Sequence, residues 1–211
     1  MKEGPEQLRR SIDSLQRLYT IVIGLAVTEA LRSFLAPAAV AGLWWAHWKS
    51  LAVLLLTIVP FYHGANGHLD QTYLYGFEGQ RRERRYALLI DFGVLFLEGI
   101  LFFALALSLT DFARFVKVFQ ALLSLDVIWA VIVLLTGPSS KDASHAVKWG
   151  VLNLLAVLLI LLANDSAWLL PDAKPRWVFI IALLRTLADY GLCWNFYIAR
   201  YPMMKSVESA V

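Results

Sequence analysis

The sequence predicts an all-α fold, a polytopic membrane helix bundle of about six transmembrane helices forming one integral membrane domain over 1–211, with both termini cytoplasmic. Three observations predict it. Hydrophobic residues make up 59% of the 211 and charged residues 17%, with mean hydropathy +0.62, whereas a soluble domain is about half apolar and a quarter charged. Several apolar runs approach the ~20 residues that a bilayer crossing needs. Lys and Arg cluster in alternate connections, which orients the spans.

The first span is expected at 15–35, after an amphipathic cytoplasmic N-terminus at 1–14. That opening stretch mixes acids, bases and Gln, so it lacks the basic region and short apolar core of a cleaved signal and is expected to be retained. Asp13, Arg17, Thr20, Gly24, Thr28 and Arg32 recur at helical spacing through it. Such a polar and small stripe either lines water or packs tightly on a neighbouring helix. Glu29 and Arg32 lie at i, i+3 and are able to pair.

The second span, expected at 48–62, is the shortest. Ala36-Pro37 and the cluster Trp44, Trp45, Trp48 precede it and suit an interfacial aromatic belt, and Pro60 is expected to kink its end. A basic cytoplasmic loop follows at 63–85. Within it, His63, His68 and Asp70 invite a metal reading, but the histidine spacing does not share a helix face, and Gly64 and Gly67 are expected to break the helix. No metal is therefore expected, and Tyr73, Tyr75 and Phe77 read as interfacial anchors. Arg81, Arg82, Arg84 and Arg85 surround Glu83 just before the third span. With Arg9 and Arg10 they form either a topology signal resting on anionic lipid or, in an oligomer, a ring for a phosphate-rich ligand such as a nucleotide, oligonucleotide or phosphoinositide.

The third and fourth spans, at 86–108 and 113–136, are joined only by SLTDF, so a re-entrant hairpin giving four crossings is the alternative. Asp91 and Glu98 stand seven apart on one face of the third span, with Arg84 a heptad earlier, and Asp126 lies in the fourth. The turn GPSSKDAS leads into the fifth span at 145–163, which holds Asn153. The sixth, at 177–199, holds Arg185 and Asp189 at i, i+4, a pair able to neutralise itself. Cys193, the one cysteine, excludes an internal disulfide and reads as a packed apolar residue. With both ends inside, twelve Lys and Arg fall on the cytoplasmic face and five on the other. That bias supports an even number of crossings, N-in and C-in, and the membrane expected is the prokaryotic cytoplasmic (inner) one.

A charge at mid-bilayer costs from about 2.5 kcal/mol upward, so Asp91, Glu98 and Asp126, which lack a base on their own helices, are expected to face a shared interior. Each is then neutralised by a proton, by a cation or by an Arg from another helix, with Arg185 available to one of them. No GxSxG, P-loop, GxGxxG or HExxH motif is present, so no enzyme chemistry and no cofactor are expected.

The expected function is a homo-oligomeric, cation-conducting ion channel, a tetramer by preference. Its pathway would be lined by Thr20, Gly24, Thr28, Glu29, Arg32, Asp91, Glu98, Asp126, Arg185 and Asp189. An apolar constriction at Ile21 to Leu25 would gate it by dewetting, and the arginine rim would receive an anionic ligand. In gross layout this resembles the compact six-helix prokaryotic potassium channels built as tetramers, although no TVGYG filter is present. The alternative is a proton-coupled secondary transporter in which the carboxylates relay protons and Arg185 is displaced. A second alternative is a membrane anchor or effector controlled by a soluble regulatory partner. A ring with an axial path discriminates for the channel, and a closed cavity within one subunit discriminates for transport.

Overall fold

Apolar sequence in a bilayer must satisfy every backbone N–H and C=O internally, and helices do so segment by segment. The computed structural model describes residues 5–41, 47–75, 83–136, 140–165 and 170–198, and among them there is no strand. The helices are α1 Pro5–Ala41, α2 Trp48–Leu69, α3 Glu83–Leu107, α4 Phe112–Thr136, α5 Ser140–Asp165 and α6 Lys174–Ile198. A π-helical extension, Asp70–Tyr75, follows α2, and a short 3-10 turn, Pro171–Ala173, precedes α6. All six are long and apolar enough to cross a membrane.

Several boundaries differ from those expected. The N-terminal segment is no separate element: α1 begins at Pro5, where a missing N–H is harmless, and already buries Ile12. It also runs through Pro37 to Ala41. The second span is not the shortest, because apolar helix continues from Trp48 to Tyr73. The loop expected at 63–85 is therefore helix over 63–75, and 76–82 lie outside the described residues. Gly64 and Gly67 do not break α2; they are buried. A Cβ on Gly64 would meet the Trp149 ring at 3.2 Å, so glycine here permits close approach of α5.

The SLTDF connection is a tight turn between two helices of 25 residues each, both long and apolar enough to cross a membrane. Asp111 caps α4: its backbone O accepts from Phe115 N at 2.8 Å and its Oδ1 from Arg114 N at 3.1 Å. Cross-links from Asn153 to Arg185, Trp149 to Asp189 and Lys148 to the Leu192 carbonyl set α5 antiparallel to α6. The α1 and α3 helices pack closely, with a Cβ on Gly99 falling 2.6 Å from Val22 Cγ1.

The six alternating spans divide into two unlike halves. At the end where α2 and α4 begin, the interior is closed by Leu54, Phe102, Leu105, Phe115, Phe119, Leu122 and Ile160, each at most 1% exposed. Thr57 and Ser108 in that half bond back to their own helices, to Val53 O at 2.7 Å and Ala104 O at 2.7 Å. The half where α1 begins and α6 finishes holds the buried Asp91, Glu98, Asp126, Asn153, Arg185 and Asp189. Outward-facing Leu89, Leu135, Leu162 and Leu184 form the apolar exterior.

Candidate functional site

Four carboxylates, one arginine and one histidine meet in the polar half. They border a cavity also lined by Pro60, Phe61, Gly64, Ala65, Val94, Leu95, Trp129 and Trp149. Its free volume is about 30 Å³, on the order of two water molecules.

Asp91 is the most fully partnered. Tyr73 Oη donates to its Oδ2 at 2.7 Å, His68 Nε2 lies 3.0 Å from the same oxygen, and Trp129 Nε1 donates to Oδ1 at 2.9 Å. His68 and Tyr73 are five residues apart, which an α-helix would set about 140° apart around its axis. The π-helical winding of Asp70–Tyr75 brings both onto Asp91, a use for which such wide turns are retained at sites. Tyr73 is 0% exposed, so it is a ligand of the interior and not the interfacial anchor expected. The extension is tied to α1 by Gln16 Nε2, which donates to Asp70 Oδ1 at 2.8 Å.

Glu98 accepts from Tyr19 Oη at 3.0 Å, across the α1 to α3 contact. Asp126 accepts from the Asn153 amide, whose Oδ1 in turn accepts from Arg185 Nε at 2.8 Å. Arg185 Nη2 lies 3.5 Å from Asp189 Oδ2, the pairing its i, i+4 spacing predicted. The guanidinium also rests 5.0 Å from the centre of the Phe61 ring, while Nη1 has no hydrogen-bond partner among the described residues. Asp189 Oδ1 accepts from Trp149 Nε1 at 2.9 Å and Tyr197 Oη at 3.0 Å. Pro60 cannot donate to the carbonyl of Leu56, and Thr186 Oγ1 from α6 does so at 3.0 Å, so the proline joins α2 to α6 beside the cavity.

A second, smaller cavity adjoins the first toward the polar end and is lined by Gln71, Thr72, His145 and Phe196 among others. His68, Trp129 and Trp149 border both. The His68 and Trp129 rings meet edge to face at 4.7 Å, and Trp129 and Trp149 lie 6.1 Å apart, so these three form the wall between them.

The expected pathway residues thus divide. Asp91, Glu98, Asp126, Arg185 and Asp189 converge, whereas Thr20, Gly24, Thr28 and Arg32 face out of the bundle. Thr28 bonds to Gly24 O and Thr20 to Gln16 O, both at 2.8 Å, and Glu29 pairs with Arg32 at 2.6 Å. The constriction expected at Ile21 to Leu25 does not narrow this interior, since Ile21 and Leu25 are 60% and 57% exposed on the outer surface. The metal-type trio separates: His63 turns to Tyr190, His68 to Asp91 and Asp70 to Gln16. Arg9 and Arg10 are exposed near the start of α1, Arg10 lying 3.8 Å from Glu6. Arg81 and Arg82 lie outside the described residues, as do the side chains of Arg84 and Arg85.

Sequence reasoning passed over Tyr19, Trp129, Trp149 and Tyr197, and placed His68 and Tyr73 in a loop. The available signal was register: Trp129 stands three residues after Asp126 and Trp149 four before Asn153, on the same helix faces. A buried indole N–H needs an acceptor, and these carboxylates are the acceptors at hand. No family model, curated protein or solved structure matches this chain.

Proposed function

We propose that the chain is a proton-coupled secondary transporter whose exchange site is the carboxylate cavity inside each subunit. The observation that carries this is the convergence of Asp91, Glu98, Asp126 and Asp189 on one enclosed space with, among the described residues, only Arg185 as a permanent cation. Four ionised carboxylates against one guanidinium leave a surplus of negative charge in a low-dielectric interior. Such a surplus is matched by bound protons, by a bound solute, or by both in exchange. Asp91 and Asp189 are held by two or three donors each, while one hydrogen bond each is described for Glu98 and Asp126. Those two are the exchanging pair.

The apolar half supports transport over conduction. A channel needs a continuous wet path, and the polar space here ends at mid-span against Phe102, Leu122 and Phe119. A polar site sealed by a dry layer on one side and walled by aromatic rings on the other suits an occluded state of alternating access. The wall of His68, Trp129 and Trp149, shared with the second cavity, is the gate in this reading. The Lys and Arg bias favours a reading with the gated side, and both termini, in the cytoplasm.

Reconstitution into liposomes with a trapped pH-sensitive dye tests the reading. An external solute that drives proton entry is expected, with Glu98→Gln lowering the rate at least tenfold. Proton movement indifferent to every solute tried, or unaltered in Glu98→Gln, would remove it.

A homo-oligomeric channel remains the second reading because of the outward stripe of α1, where a Cβ on Gly24 would meet nothing within 4 Å. Small residues on an outer face permit close helix pairing, and a path between copies would be lined by Thr20, Thr28 and Arg32. Mass measurement on purified protein, wild type against Gly24→Leu, decides it: a monomer, or an oligomer indifferent to that change, removes this reading. The same assembly would be needed for an arginine ring to take an anionic lipid, a nucleotide or an oligonucleotide, or for a soluble partner to dock there.

A further inference from the structure

The charges that line the cavity specify its occupant. Glu98 and Asp126 line it as acceptors for a cationic group. Arg185, whose side chain is 5% exposed, lines it as well. Its Nε and Nη2 are engaged by Asn153 and Asp189, but its buried Nη1 has no partner among the described residues. A buried guanidinium N–H left without an acceptor is costly, and a carboxylate is its best complement. A cation alone would leave that N–H unmet and lie beside a like charge. An anion alone would face four carboxylates.

We infer that the transported solute is a small zwitterion of the α-amino acid type, its ammonium group taken by Glu98 and Asp126 and its carboxylate by Arg185 Nη1. A free volume of about 30 Å³, on the order of two waters, is on the scale of the two charged groups of glycine and excludes long side chains. Phe61, on which the guanidinium already rests, holds Arg185 in place to receive it. Being neutral overall, the solute leaves the carboxylate surplus to protons, which is why its movement would be proton-coupled. The inference rests on the transport reading for its route into the cavity, but binding is measured separately from flux.

The test uses the full chain in detergent, with glycine and L-alanine as probes, methylammonium and acetate as the two half-ligands, and L-tryptophan as an oversized one. Trp129 and Trp149 wall the cavity, so their fluorescence reports occupancy alongside titration calorimetry. Saturable binding of glycine is expected, with both half-ligands and L-tryptophan at least tenfold weaker. Glu98→Gln and Arg185→Lys should each weaken glycine at least tenfold while the helical circular dichroism and melting temperature show that they fold. Arg185→Lys keeps the charge but loses the forked geometry, so it guards against a variant that merely collapses.

Failure of glycine and alanine to bind folded wild-type protein overturns the inference. So does methylammonium binding as tightly as glycine, which would leave Arg185 unused. If either result occurs while another solute drives proton entry into liposomes, transport stands and the solute class falls. If glycine binds and no solute drives protons, the binding site stands and the transport reading falls.

Discussion

Tyr19 of α1 donates its phenol to Glu98 of α3 at 3.0 Å, and it is the one hydrogen bond described to that carboxylate. The bond also fastens α1 to the cavity, since Tyr19 is 3% exposed. Tyr19→Phe keeps the ring and removes the donor, which should destabilise the protein by about 1 kcal/mol. It should lower solute-driven proton entry several-fold. A variant with unaltered flux would mean that Glu98 is held some other way.

Asn153 serves two charged neighbours at once, its amide donating to Asp126 and its oxygen accepting from Arg185. Asn153→Leu fits the volume but strips both partners. The expected loss is about 3–5 kcal/mol, the range for breaking one side of a buried charged pair. Thermal unfolding in detergent reads it, and a loss no larger than that of an exposed Leu158→Ala control would show that Asp126 and Arg185 repartner with each other.

Gly99 faces Val22 so closely that a Cβ would fall 2.6 Å from its Cγ1. Gly99→Ala should destabilise by about 1–3 kcal/mol, the usual range for overpacking. Adding Val22→Ala should recover most of it. Because α1 and α3 carry Tyr19 and Glu98, the single variant should also depress transport, and the double variant restore it. Non-recovery in the double-mutant cycle would place the strain elsewhere.

Thr186 stands in for the N–H that Pro60 lacks, donating to Leu56 O at 3.0 Å. Thr186→Val should cost about 1–2 kcal/mol by leaving a buried carbonyl unpaired. Pro60→Ala returns an N–H to the helix, so in that background the same change should cost less than half as much. Equal costs in both backgrounds would show that the threonine stabilises by packing alone.

The chain's apolar runs made the six spans legible, because length and hydropathy are local properties. Asp91, Glu98, Asp126, Arg185 and Asp189 were legible as interior groups for the same reason: charge inside an apolar run has nowhere else to go. The end of α2 was not. His63, Gly64, Gly67, His68 and Asp70 read as a polar loop, and only tertiary contact with Trp149, Asp91 and Gln16 makes helix the better state there. Nor was the face of α1 legible. Its period-four polar stripe identifies a special side of the helix but not whether that side turns in or out. The choice fell to Ile12, Leu15, Tyr19, Ile23, Ala26 and Ala30, which occupy the opposite face and bury against α2 and α3.

The sealed half built from Leu54, Phe102, Leu105, Phe115, Phe119, Leu122 and Ile160 acts as a thin insulator. An applied membrane potential divides according to dielectric thickness, so in the transport reading, once water fills the polar half, most of the voltage drops over this dry layer. A unit charge carried through it does work of about 2.3 kcal/mol per 100 mV. Any step that moves a net proton past Phe102 is therefore electrogenic, and its rate will rise or fall with the resting voltage of the cell as well as with the pH difference.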